Sequence, residues 1–378
     1  MTIKITGILT NLQQQVSLVD SDVRTQQVIY LSELCLDAAN TSLQDYFHSS
    51  TFPLSDSEED QDRIYFDRTE KKLYFRDSDG YKLTGTDQRK FQGEVAGFFS
   101  GGNTGSITNT IETFSLATDG NATNHGSLTI SVDDNAGHSS ETHGYSSGGE
   151  TSSSIVAIID KFSFTAPASS TNIGNLTSSR ENLAGISAST YQYGYSAGGN
   201  NVSNTNIIDR FSFTVDGSAS DVGDLTTNKA SSAGSNSSTD GYVTGGDGST
   251  TSIDKFSFTR PTANAATTAS LSSAAIGGAG LSSEQGYGYN VYVDLNNTNV
   301  IDKFSFTADT NASDVGDLTL LVENNSGGVS STERGFIVGG GDASRSNTIQ
   351  KFSFYTDGTS IDVGNLANSR NKGSAQQY

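Results

Sequence analysis

The sequence predicts an all-β protein: a six-bladed β-propeller behind a small N-terminal α+β segment. Three observations predict it. A strand-like hexamer recurs as "IETFSL" 111–116, "IDKFSF" 159–164, "IDRFSF" 208–213, "IDKFSF" 253–258, "IDKFSF" 301–306 and "IQKFSF" 349–354. The first Phe of each copy, from Phe114 to Phe352, is spaced by 48, 49, 45, 48 and 48 residues. Apolar anchors at strand spacing fill each interval, with Gly, Asp, Asn and Ser clusters between them, the pattern of short strands joined by turns. A four-stranded unit repeated every ~40–50 residues makes a propeller blade.

The chain of 378 residues is long enough for one large domain and a small one. Only 33% of it is hydrophobic and 17% charged, with 41 Gly, a composition close to low-complexity chains. The regular Ile, Phe, Leu and Tyr anchors argue against disorder, which needs no periodic apolar residues. A formal net charge of −20 opposes binding to nucleic-acid phosphates and to a bare anionic membrane. No stretch approaches the ~18–20 apolar residues of a membrane span. The opening "MTIKITGILTNLQQQ" has no apolar run of the secretory kind, so synthesis in a cytoplasm is expected. Cys35 is the single cysteine, which leaves neither a disulfide nor a cysteine metal cluster within the chain.

Residues 1–90 do not repeat. A helix is predicted over 21–40, capped at Ser21 or Asp22, with Tyr30, Leu31, Leu34, Cys35 and Ala38 forming its apolar stripe. The stripe is short, and strand pairing stays open. An acidic, linker-like stretch follows at 50–62. Residues 63–85, "RIYFDRTEKKLYFRDSDGYKLTG", alternate apolar and polar residues around turns and predict a β-meander of two or three strands. The segment reads as an anchor or oligomerisation piece, the alternative being a small subdomain packed on the propeller.

Residues 91–378 hold the six copies. In each, a weakly apolar first strand such as "NLAGIS" 182–187 leads to an aromatic strand ended by paired glycines, as in "GYSAGG" 194–199. The FSF strand is third. The fourth is expected to contain the Leu of "DVGDLT", at Leu128, Leu176, Leu225, Leu271, Leu318 and Leu366 across the copies. In the third strand Asp302, Phe304 and Phe306 fall on one side and Ile301, Lys303 and Ser305 on the other. A blade packs both faces against its neighbours, so bulky Phe against Ile and small Ser lets the layers interlock. The tail "SRNKGSAQQY" 369–378 aligns with the first strand "SRENLAGISA" 179–188, so residues 371–378 are predicted to close the ring on the blade containing "GFFSGG" 97–102.

Little in the chain points to catalysis. In "HSSETH" 138–143 the five-residue spacing sets His138 and His143 on opposite faces of a strand, poor for shared metal ligation, and both read as surface or turn residues. The segment "DTNASD" 309–314 imitates a calcium loop, but Asp314 stands where the loop glycine belongs and no bidentate Glu follows. No cofactor is expected, and calcium is the one ion weighed. The Asp at 160, 209, 254 and 302 and the Lys or Arg beside it recur in most blades, so they read as inter-strand or inter-blade partners. Function belongs where the copies differ, in the connections between second and third strands. Asn103, Glu150, Asn200, Asp247, Tyr292, Asp294, Asp342 and Arg345 are the binding candidates there. Such groups suit hydrogen bonding to a glycan, with Tyr292 offering a ring to stack on a sugar face. Copy five, "GYGYNV" 286–291, has lost its glycine pair and is the odd one out.

The aromatic–Gly-Gly strand followed by the FSF strand resembles the kelch type of propeller repeat, although Trp is absent and "IDKFSF" replaces the usual Val…Tyr-Asp strand. Copper-radical oxidases share a kelch-like propeller, but their Tyr–Cys crosslink has no cysteine here among the repeats. Sialidase propellers rely on Asp-box Trp residues, which are also missing. The phrase "GYSAGGN…IIDRFSFT" with "ASDVGDLT" is similar to repeats of virion-associated proteins of tailed marine bacteriophages, including those of cyanobacteria, over about three quarters of the chain. Modules like "YFD…LYFRD" are similar to phage tail-fibre attachment regions. The resemblance implies a non-enzymatic virion structural protein, of fibre type or for host adhesion. Its expected partners are other virion proteins through residues 1–90, a host surface glycan, and further copies of itself. A neck, baseplate or capsid decoration subunit and a glycan hydrolase remain the alternatives.

Overall fold

A computed structural model of the protein describes residues 64–67, 72–77, 80–84 and 93–378, apart from Ala168, Ser249 and the stretches 260–263, 294–298, 321–325 and 342–344. The chain divides into two units, Met1–Gln88 and Arg89–Tyr378. The described part of the first is a three-stranded antiparallel meander, Ile64–Asp67, Lys72–Asp77 and Gly80–Thr84, paired in sequence order. The helix expected over 21–40, Cys35 and the acidic stretch 50–62 lie outside the described residues.

The second unit is a ring of six four-stranded antiparallel sheets. Blade 3 shows the pattern: Ala184–Ala188 innermost, then Tyr193–Ala197, Ile207–Ser212 and Ser220–Asp224 outermost. The other inner strands are Ala136–Ser139 of blade 2, Ala233–Asn236 of blade 4, Ala279–Ser283 of blade 5 and Gly327–Ser330 of blade 6. Blade 1 is composite. Ala96–Ser100, Thr110–Ser115 and Thr123–Ser127 receive their inner strand, Ser374–Gln377, from the C-terminus, with Ser374 opposite Ser100 and Gln377 opposite Gly97. Each inner strand touches the next all the way round.

The repeated letters make one contact written five times, with a variant in blade 6. In blades 1 to 5 the aromatic of the second strand lies on the second Phe of the following blade, as Tyr195 on Phe258 with centroids 5.1 Å apart and planes at 25°, whereas Phe336 of blade 6 shares a core cluster with Leu116 of blade 1. Phe98 on Phe164, Tyr145 on Phe213, Tyr242 on Phe306 and Tyr289 on Phe354 repeat it at 4.7–4.9 Å. The glycine before each aromatic is required by the first Phe. Gly194 pairs with Phe211 across the sheet, and a Cβ on it would meet the Phe211 ring at 2.5 Å. The leucine anchors sit differently from expectation. The fourth strand of blade 3 ends at Asp224, and Leu225 follows it, buried, with its N–H on Asn206 O at 2.7 Å. The leucine is the plug of a turn, because the next residue, Thr177 in blade 2 or Thr226 in blade 3, must swing outward to reach the following blade.

That reach explains the recurring aspartate. Asp209 is fully buried; it accepts the Thr177 N–H at 2.9 Å and hydroxyl at 2.7 Å, and binds the Arg180 guanidinium at 2.6 Å. Lys229 meets Asp254 at 3.2 Å and Arg370 meets Glu112 at 3.5 Å in the same place. The neighbouring lysines link blades at the opposite end, Lys161 to Asp216 at 2.9 Å and Lys303 to Asp357 at 2.9 Å. Both repeated charges are therefore consumed as architecture.

Around the axis the inner strands nearly touch. A Cβ on Gly185 would come 2.3 Å from Gly137 O, so bare backbone sets the bore. Above this level the turns into the inner strands of blades 1 to 5 each contain a left-handed residue, Lys372, Asp134, Asn182, Ser231 and Gly277, with φ of +50° to +68°. The N–H groups pass from blade to blade, Asp134 to Lys372 O, Asn182 to Asp134 O, Ser231 to Asn182 O and Gly277 to Ser231 O, at 2.7–2.9 Å. Below it, Gln377 N–H donates to Ser139 Oγ and Ser330 N–H to Gln377 Oε1, at 2.9 and 2.7 Å. The bore is a partly open cavity of about 140 Å³ lined mainly by Gly, Ala and Ser, with Asn135, Leu183, Asn236, Leu281 and Gln377.

His138 departs from its surface reading. It lies on an inner strand, fully buried, with Nδ1 on Ile186 O at 3.2 Å and Nε2 on Ser147 Oγ at 2.9 Å. In a sandwiched blade both strand faces are interior, so alternation does not imply exposure. Burial holds its pKa down at about 4. The unfolded chain takes up a proton near pH 6.5 that the folded chain refuses, so this contribution is complete above pH 6.5 and fades as pH falls towards 4. The loss amounts to about 3 kcal/mol at the lower limit. His138→Gln, templated on Gln376 at the equivalent place in blade 1, is expected to flatten this slope. Urea midpoints at pH 7 and pH 5 measure it, and an unchanged difference between the two would count against the buried neutral imidazole.

Candidate functional site

Antiparallel order puts two sets of connections at the same end of every blade: second strand to third, and fourth strand to the next inner strand. They zip together through backbone. Asn103 N–H bonds Asn371 O at 2.8 Å, Glu150 and Asp133 exchange two bonds at 2.8 and 2.9 Å, Asn200 and Glu181 exchange two at 2.9 and 3.0 Å, and Asp247 N–H bonds Ala230 O at 2.9 Å. Four of the candidates, Asn103, Glu150, Asn200 and Asp247, thus stand half-buried at equivalent places on one rim. Arg345 is also half-buried. Asp294 and Asp342 lie outside the described residues.

Tyr292 is a correction. It is buried, and its hydroxyl donates to Asp302 at 2.9 Å and accepts the Ser273 N–H at 3.2 Å. It offers no face to a sugar. Without the glycine pair, the strands of blade 5 run on as Tyr287–Val293 against Asn299–Ser305, which keeps Tyr292 inside the sheet. Ala275 occupies the place of Arg180 in this copy, and the Tyr292 hydroxyl serves the aspartate instead. Burial pushes that hydroxyl up to about 12, so it stays a donor. Segment 309–314 is likewise taken up by the scaffold: Asp309 pairs with Lys255, Asn311 accepts the Ser270 N–H, and Ser313–Asp314 is the outer strand of blade 5, with Asp314 accepting the Gly316 N–H.

The rim is chemically uneven. Between blades 1, 2 and 3 it gathers Asp133, Asp134 and Glu150, whose carboxylate oxygens lie within 4.8 Å of one another. Asn103 Nδ2 donates to Asp133 Oδ2 at 3.1 Å, and the Lys372 ammonium sits 2.6 Å from Asp134 Oδ2. Glu181 of the next turn is near enough for the charge of Glu150 to act on it. Burial raises Asp133, and raises Asp134 to about 6 against the pull of Lys372. Burial, then the charges of Glu150 and Asp134, push Glu181 up to about 7. Burial acts to lower Lys372, but its bond to Asp134 and the charges of Asp134, Asp133 and Glu181 outweigh that and raise it.

Of these, sequence reasoning had singled out only Asn103 and Glu150. Asp133, Asp134, Glu181 and Lys372 belong to turns that looked like copied scaffold. The available signal was "VDDN" 132–135 standing where other copies read "RENL" 180–183 and "KASS" 229–232. There Val132 replaces the buried cation and two aspartates are added. The chain matches no family model and no curated protein.

Proposed function

We propose that the chain is a non-enzymatic structural protein of a bacteriophage particle, of the fibre or host-adhesion type. Its propeller is the binding disc, and residues 1–90 attach it to other virion proteins. One observation carries the reading of a disc: the repeated residues are spent inside and between blades, whereas the residues that differ meet on one rim. A scaffold held constant beneath a variable rim suits recognition. With Tyr292 interior, recognition rests on Asn, Asp and Glu side chains rather than ring stacking, and its ligand is a protein or a glycan of the host surface.

Immunogold labelling of intact particles is expected to place the protein on an exposed appendage. Isolated propeller is expected to bind host cells, and the double variant Asn200→Ala, Asp247→Ala to lose that binding while melting as the parent does. Particle labelling without cell binding would favour a decoration subunit. Absence from the particle would sink the proposal.

A further inference from the structure

We propose that the rim between blades 1, 2 and 3 binds one hard divalent cation of the calcium type, ligated by Asp133, Asp134 and Glu150 with Glu181 beside them. Calcium takes oxygen ligands at about 2.3–2.6 Å, so two ligands across one ion stand up to ~5 Å apart. The three carboxylates, within 4.8 Å of one another, have that span. The second observation is a buried oxygen without a hydrogen-bond partner. Asp133 is 3% exposed; its Oδ2 takes the Asn103 amide, but its Oδ1 has no donor. Glu181 Oε2 is buried without a donor as well. Leaving an ionised oxygen buried and unpaired is costly.

Lys372 does not meet the need. Its ammonium is placed at Asp134 Oδ2, which leaves one positive charge among four carboxylates. Nor does the scaffold, because Val132 stands where Arg180, Lys229 and Arg370 bring a buried cation to other blades. The cluster is also peculiar to this turn. Blade 4 has Ala230 and Ser231 in the places of Asp133 and Asp134. The donor set is all oxygen, which selects calcium or magnesium over zinc. Carboxylates on turns of separate blades suit the irregular shell of calcium better than the strict octahedron of magnesium. The site shares the rim invoked above but does not depend on what the rim recognises, and it is read on the isolated protein.

The full chain, stripped with EDTA, is titrated with calcium chloride by calorimetry and melted with and without about 1 mM of the ion. A saturable 1:1 heat is expected, with a higher melting temperature and a smaller rise in magnesium. Asp133→Asn and Glu150→Gln are expected to weaken binding about tenfold or more. Both variants relieve repulsion, so in EDTA they should still melt cooperatively, at or above the parent. Glu141→Gln, exposed at the opposite end of blade 2, should bind like the parent. No saturable heat would overturn the site. Equal binding by Asp133→Asn, Glu150→Gln and parent would also overturn it, as diffuse attraction to a chain of net charge −20.

Discussion

Removal of residues 371–378 is expected to abolish cooperative unfolding. Those residues are the inner strand of blade 1, and their loss strips hydrogen bonds from three blades. Within blade 1, Ser374 and Gln376 bond Ser100. Gln376 reaches Tyr145 O of blade 2 at 3.1 Å, and Gln377 ties Ser139 of blade 2 to Ser330 of blade 6. Tyr378 O receives the N–H groups of Glu94, Val95 and Ala96 at 2.7–3.0 Å, and its ring lies on Phe164 at 5.3 Å. Each buried group left unpaired costs about 1–3 kcal/mol, and a domain has only about 5–15 kcal/mol in total. The truncated chain should therefore show a broad, early transition by circular dichroism. A synthetic peptide of residues 369–378 in excess should restore a sharp one, because it binds the folded ring and not the unfolded chain. A truncated protein that melts like the parent would show that the ring does not depend on its clasp.

Arg180→Met is expected to cost about 3–5 kcal/mol, the usual consequence of stripping a buried carboxylate of its cation. Arg180 and Asp209 are both buried, and Arg180 also donates to Ile207 O at 3.1 Å. Blade 2 shows how an aspartate survives without a cation. Asp160 accepts Ser170 Oγ at 2.9 Å in addition to the Thr129 N–H at 2.6 Å and hydroxyl at 2.8 Å. Blade 3 has Ala219 in the place of that serine. Adding Ala219→Ser to Arg180→Met should return part of the lost stability, measured as the shift in denaturant midpoint. A single variant within about 1 kcal/mol of the parent would mean that the threonine bonds alone satisfy Asp209.

The ring was legible because its signals are local and periodic. A Phe every 48 or so residues, an aromatic before Gly-Gly and a leucine after an Asp/Asn turn each report a strand or turn within one copy. The rim was not, because it is assembled from residues distant in the chain: Asp133, Glu150, Glu181 and Lys372 come from three blades and carry no apolar period. Tyr292 was misplaced for a related reason. A polar-looking connection was taken for a loop, although losing two glycines removed the turn that would have made it one. His138 was misplaced because alternation distinguishes the faces of a strand without saying whether either meets water.

The clasp has a temporal side. Ser100 meets Ser374 across 274 residues of chain. At a synthesis rate of about 5–20 residues per second, the strand Ala96–Ser100 waits tens of seconds for its partner. During that time its inner edge is open, and an open apolar edge such as "GFFS" invites pairing with another nascent chain. Neighbouring ribosomes on one messenger would hold such edges at high local concentration. The ring that is hardest to open once complete is therefore the one most exposed to trapping while it is being made.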